Sequence, residues 1–201
     1  MRLPQLRNQQ ADRERNLSLA DFVAPLGSGV KDYVGAFAVT AGLGLEELAG
    51  RYRSEGDDYR AIMAKLLADR LTEAFAEALH RYARVTLWGY EREGQWSVGD
   101  LLAEKYQGIR PAFGYPSAPD HSLKADVFAL MDVGTVTGMT MTESYMIVPG
   151  EAACGLMLGH PEARNFSVGR IDSKQLASYA ARRGTDPEKM RVLIPQHLID
   201  M

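Results

Sequence analysis

Apolar residues recur three or four positions apart between residues 57 and 84, at Tyr59, Ile62, Met63, Leu66, Leu67, Leu71, Ala74, Phe75, Ala78, Leu79 and Tyr82. That is the period of an amphipathic helix, whose apolar stripe is the face a globular fold buries. Asp57 or Asp58 can cap it, and it runs to about Arg84. Upstream, residues 19–25 lead into a Gly27-Ser28-Gly29 turn. Residues 33–40 are small and apolar on both sides and predict a strand covered closely by another element. Gly42 and Gly44 break it, and residues 45–53 form a short helix with Glu46 and Glu47 at its positive end.

Downstream the pattern changes. Trp96-Ser97 leads into a helix over 98–106, and Ser122 caps another from 123 to 131 or 132. Residues 137–148 alternate and then turn apolar, while 152–159 and 166–171 read as strands joined through residues 160–165. Three consecutive strands with short links predict an antiparallel meander. A helix over 173–183 stops at Gly184, and a second, over 187–194, has Asp186 as cap and Pro187 at its first position. The fold class is α+β: a twisted antiparallel sheet (meander) with one long helix and several shorter helices packed around it. Residues 1–18 form a polar arm in which Arg2, Arg7, Arg13 and Arg15 alternate with Gln and Asn; residues 19–201 form a single domain.

Composition narrows the function classes. The 201 residues are 46% hydrophobic and 24% charged, enough for a sizeable core. A net charge of −3 and a pI near 5.8 leave no electrostatic footprint for nucleic acid or an anionic membrane. Cys154 is the only cysteine, which excludes an intrachain disulfide and fits a reducing compartment. Residues 1–10 lack the apolar stretch of a secretory signal and no run approaches a membrane span, so the expected location is cytoplasmic.

The chemistry concentrates in residues 106–121. Pro111, Pro116 and Pro119 fix φ and remove backbone donors, while Gly108 and Gly114 permit shapes closed to other residues. The stretch reads as neither helix nor ladder-forming strand. It is either a structural connector or a rigid loop that holds Arg110 and Tyr115 out to a ligand. On the long helix, Asp69, Glu73 and His80 fall within about 40° of one another; such a face either is solvated or holds a metal or polar ligand. Glu104, in the last turn of its helix, is unfavourable for the dipole and so suggests another duty. His121 and His160 lie beside these motifs, but four histidines and one cysteine show no metal-ligand spacing. Loop bracing is their expected role; no metal site and no catalytic triad is assigned. Met139, Met141, Met146 and Met157 are expected as core filler, and Cys154 as an inert buried thiol. No Gly-rich phosphate loop is present, which argues against a doubly wound methyltransferase fold.

The string YQGIRPAFGYP at 106–116, Asp120-His121, TGMTMTESYMIVPG at 137–150 and GLMLGHPEARNF at 155–166 together resemble the C-terminal activation domain of cobalamin-dependent methionine synthase. The resemblance runs in one order from about Leu19 to about Leu198. It implies S-adenosylmethionine as ligand. Arg110 would clamp the carboxylate bidentately; Tyr115 would lie near the sulfonium; the Ala112 backbone would meet the adenine; Glu73 and Glu104 would accept from the ribose hydroxyls. Where the family has two tyrosines after the His-Pro motif, this chain has Asn165 and Phe166, which can still hydrogen-bond and stack. Asp69 and His121 would contact the cobalamin module.

The implied role is repair: cob(II)alamin, held by a partner domain, is returned to methylcobalamin by an electron from a flavodoxin-like donor and a methyl group from S-adenosylmethionine. The chain would thus be a domain or subunit of a methyltransferase, without complete activity of its own. The family's aspartate for the ligand ammonium lies in an N-terminal part with no counterpart here, so the sequence is either a fragment or a short form. With Asn165-Phe166, this motivates a second reading, a docking or capping module for a corrinoid protein.

Overall fold

The computed structural model describes residues 1–10 and 15–198; Arg13 of the polar arm and residues 199–201 of the expected domain lie outside them. A 3-10 turn, Leu19–Phe22, is closed by a capping box between Ser18 and Asp21. Then come β1 (Val34–Thr40), α1 (Leu45–Ser54) and α2 (Asp58–Tyr82), whose cap Asp57 accepts from the Arg60 amide at 2.9 Å. A widened π-helical turn, Ala83–Leu87, extends α2. It is followed by α3 (Val98–Leu102), α4 (Leu123–Met131), α5 (Val133–Thr137), β2 (Thr140–Met141), β3 (Ile147–Val148) and β4 (Ala152–Leu158). Then follow α6 (Ser173–Arg183), capped by Asp172, and α7 (Pro187–Leu193), capped by Asp186 as the sequence predicts.

The architecture is α+β with small antiparallel sheets. β1 pairs β4 from Val34↔Leu158 to Thr40↔Ala152, and β2 pairs β3. The partners therefore differ from the consecutive strands expected. Among the described residues, 166–171 join no ladder: Ile171 bridges Leu198, its amide donating to the His197 carbonyl at 2.7 Å, and the Val168 amide donates to the Pro116 carbonyl at 2.8 Å. The apolar side chains of Val168 and Ile171 are spent instead on a second core with Leu6, Leu176, Tyr179, Met190 and Ile194. Leu6 carries the N-terminal arm into that core, so the arm buries more than its polarity suggests.

Period-2 alternation puts Cys154, Leu156 and Leu158 of β4 into the main core with Leu19, Phe113, Leu123, Val127 and Met139. Met157, with Phe37 and Val39 of β1, faces α2 on the opposite side. The fully buried residues of α2 are all small or polar, Ala61, Ala68, Thr72, Ala76 and His80, with Leu79 partly buried against the sheet-side cluster, whereas Tyr59, Ile62, Leu66, Leu67, Leu71, Phe75 and Tyr82 are at least half exposed. The apolar stripe thus points away from the sheet. Close helix–sheet approach favours the small face, and Thr72 fixes it by donating to the Glu151 carbonyl at 2.9 Å while accepting from the Ala41 amide.

Three further expectations are corrected. The helix after Ser97 stops at Leu102, because the backbone turns left-handed at Glu104, which therefore lies beyond the helix. Ser122 precedes α4 without capping it through its side chain. The proline-rich stretch does form a ladder, along the free edge of β4: Ile109 and Leu158 exchange both amide bonds at 2.9 Å, and the Phe113 amide donates to the Cys154 carbonyl at 2.9 Å. Pro111 is tolerated because only its carbonyl is used, by the Leu156 amide at 3.0 Å.

Candidate functional site

That added strand presents the ligand-type side chains. Gly155 has no Cβ, and one built there would lie 2.7 Å from Ala112 Cα, so the segment can cross β4 closely only at glycine. Beyond it, the Gly114 amide donates to the Ala118 carbonyl at 2.8 Å and the Ala118 amide to the Tyr115 carbonyl at 2.9 Å, a tight turn that lifts Tyr115 into solvent. Gly114 has φ of 95°, and the His121 ring fills the space where its Cβ would be.

A cleft of about 520 Å³ opens beside this turn, within the range of small-molecule sites. Its walls include Glu73 of α2, Glu104, Arg110, Ala112, Tyr115, Asn165 and Phe166. All seven residues assigned to a ligand from the sequence are thus brought together. The Tyr115 hydroxyl leans towards Glu73 Oε1 at 3.4 Å, and Asn165 Nδ2 donates to Glu104 Oε2 at 3.0 Å. Burial raises the Tyr115 phenol pKa, and the Glu73 and Asp69 charges raise it further. Phe166 packs edge-on against Phe22 at 6.4 Å, so the main core backs it.

Asp69, Glu73 and His80 do not form one site. His80 lies eleven positions along the helix from Asp69, about 16 Å along the axis. Asp69 and Glu73 are exposed, whereas His80 is buried. His121 sits under the Tyr115 turn, with Nδ1 2.8 Å from Lys124 Nζ; burial and that ammonium lower its pKa. His160 braces its loop, Nδ1 accepting from the Glu162 amide at 3.1 Å. Among the described residues no cluster of three or more His, Cys, Asp or Glu is placed to hold a metal.

Behind Arg110 lies a charged network that the residue types alone do not announce. Arg110 Nη1 is 2.6 Å from Glu77 Oε2 and also donates to the Tyr106 hydroxyl, which in turn donates to Glu77 Oε2 at 3.0 Å. Arg84, fully buried, lies 3.8 Å from the Tyr106 ring centre, 2.7 Å from Glu91 Oε2, 3.5 Å from Glu77 Oε1 and 2.8 Å from His80 Nδ1. Burial drives the Tyr106 phenol up to about 12. One signal was available: Glu77, His80 and Arg84 recur at i, i+3 and i+7, on one helix face.

A second cleft, about 830 Å³, is lined by Tyr33, Trp88, Tyr90 and His160 among others, and its lining includes no arginine or lysine to meet a carboxylate.

The vitamin B12-dependent methionine synthase activation-domain model matches residues 1–184. Among solved structures, a crystal structure of the MetH reactivation domain bound to AdoHcy is 43% identical, with a TM-score of 0.94 over 98% of this chain. The chain spans 61% of the length of that structure. The chain belongs to the activation-domain family of vitamin B12-dependent methionine synthase.

Proposed function

We propose that this chain binds S-adenosylmethionine in the 520 Å³ cleft and orients its methyl group towards a cobalamin held by a separate domain or subunit. The observation that carries this reading is the convergence of Glu73, Glu104, Arg110, Ala112, Tyr115, Asn165 and Phe166 on one cleft. The related MetH structure, which has AdoHcy bound, supports the ligand class. Arg110 would take the carboxylate, Glu73 and Glu104 the ribose hydroxyls, the Ala112 backbone the adenine, and the Tyr115 ring the sulfonium side.

The corrinoid supplies the methyl-accepting chemistry when it is present. The residues of this chain bind and orient; none of them needs to act as nucleophile or base. Asp69 and His121 both bear on the Tyr115 turn, Asp69 through its charge and His121 by packing under Gly114. We assign that rim to the cobalamin module. The role that follows is reductive remethylation of cob(II)alamin in methionine biosynthesis, with a flavodoxin-like electron donor and a cytoplasmic setting. Among the described residues no helix is long and apolar enough to cross a membrane.

A docking module without useful ligand affinity is the second reading. It is favoured by Glu104 and Arg110 already having protein partners.

Calorimetric titration of S-adenosylmethionine into the wild-type chain and Arg110→Ala separates the two. The first reading expects binding that the substitution weakens by about 2–4 kcal/mol without unfolding the protein. A folded wild-type chain that binds nothing would leave only the docking role.

A further inference from the structure

We propose that Glu77, backed by Arg84, is a positioning residue that turns Arg110 into a carboxylate-selective clamp; this rests on the assignment of S-adenosylmethionine to the cleft. Among the described residues the side-chain bonds to the Arg110 guanidinium all fall on Nη1, from Glu77 Oε2 and the Tyr106 hydroxyl. The Nε and Nη2 edge is left open. An arginine held by one terminal nitrogen keeps a planar pair of N–H groups whose spacing matches a carboxylate.

Glu77 does not line the cleft, whereas Arg110 does, so the glutamate holds the guanidinium from behind without competing for the ligand. Glu77 is itself held. Its Oε1 lies 3.5 Å from Arg84 Nη2, and both of those atoms are buried without a hydrogen-bond partner of normal length. Glu91 fixes the far side of Arg84 at 2.7 Å, and the Tyr106 ring lies 3.8 Å from its guanidinium carbon. Charges therefore alternate in sign along Glu91, Arg84, Glu77 and Arg110, and the row ends at the cleft. Its last member is the only one of the four to line the cleft.

Without the Glu77 charge, Arg110 would lose its anchor and a bound carboxylate would have to order a mobile side chain. That cost falls only on ligands that carry the carboxylate.

The test compares S-adenosylmethionine with its decarboxylated analogue, titrated into the wild-type chain, Glu77→Gln, Arg110→Ala and the double variant. Expected is a loss of roughly tenfold to a hundredfold for S-adenosylmethionine in Glu77→Gln. The decarboxylated ligand should be unchanged, and Arg110→Ala should gain no further loss from the second substitution. Equal weakening of both ligands would make Glu77 a structural residue and overturn the inference, as would unchanged affinity for S-adenosylmethionine. A wild-type chain that binds neither ligand would overturn the underlying assignment as well. Should Glu77→Gln fold poorly, Tyr106→Phe removes the hydroxyl shared by Arg110 and Glu77, and the same selective loss is expected on a smaller scale.

Discussion

Asn165 Nδ2 donates to Glu104 Oε2 at 3.0 Å, joining two walls of the cleft that are 61 residues apart in sequence. Glu104 has φ of 49°, so its backbone points the carboxylate in a direction that ordinary helix continuation would not allow. On the proposed reading, the bond would leave Oε1 for a ligand hydroxyl. Asn165→Ala is expected to weaken S-adenosylmethionine binding by about 1 kcal/mol. Calorimetry measures it, and an unchanged affinity would mean that Glu104 holds its position without the amide.

Gly155→Ala tests whether the ladder along β4 sets the site. The added methyl would meet the Pro111 carbonyl and lie 2.7 Å from Ala112 Cα, both backbone atoms that cannot rotate away. The expected result is a loss of about 1–3 kcal/mol in urea unfolding, together with weaker ligand binding because Arg110 and Ala112 ride on the displaced segment. Gly150→Ala, with nothing within 4 Å of the new atom, is the control and should change neither.

Breaking the buried ion pair should be far more costly than breaking a surface one. Glu91→Ala leaves the Arg84 guanidinium, 0% exposed, without its 2.7 Å partner; the expected destabilisation is about 3–5 kcal/mol. Glu46→Ala, which removes the exposed partner of Lys65, should leave stability almost unchanged. Denaturant unfolding of both variants gives the comparison.

Burial, reinforced by the Arg84 and Arg110 charges, holds the His80 imidazole down at about 3 against an ordinary 6.5. Above pH 6.5 neither the folded nor the unfolded chain protonates it. Between 6.5 and 3 the unfolded chain binds a proton that the folded one refuses. Stability therefore falls as pH drops through this window, by up to about 1.4 kcal/mol per pH unit from this group. Urea midpoints from pH 8 to pH 5 should show the decline, and His80→Gln should flatten it.

Burial pushes the Cys154 thiol up to about 12, with the Lys124 ammonium opposing the shift. An aromatic disulfide reagent at pH 8 should find no reactive thiol in the folded chain and one equivalent in urea. Rapid reaction in the native state would show that β4 opens locally.

Much of this arrangement can be read from local signals. Asp57, Asp186, Pro187 and Gly184 mark helix ends through backbone chemistry that needs no tertiary context, and the structure keeps each of them. Arg110 and Tyr115 stand out because prolines and glycines make their loop rigid. Other features depend on what lies across the fold. Val168 and Ile171 have strand-like alternation but pack against Leu6 and Tyr179, distant in sequence. The edge pairing of Ile109 and Phe113 requires a free β4 edge, and no feature of residues 106–116 reveals it. Arg84 looks like a surface arginine until Glu91, Glu77 and Tyr106 surround it.

Helix α2 also inverts the usual profile of mutational tolerance. Its large residues, Leu66, Leu67, Leu71 and Phe75, stand largely in solvent, while Ala61, Ala68 and Ala76 are buried, Ala76 in the cluster it shares with Phe37 and Val39 of the sheet. Truncating the leucines would leave no void in this chain, whereas adding a single methylene at the alanines would push the elements packed on them apart. Along α2, side-chain bulk is a poor guide to constraint, and the least conspicuous letters are the least replaceable.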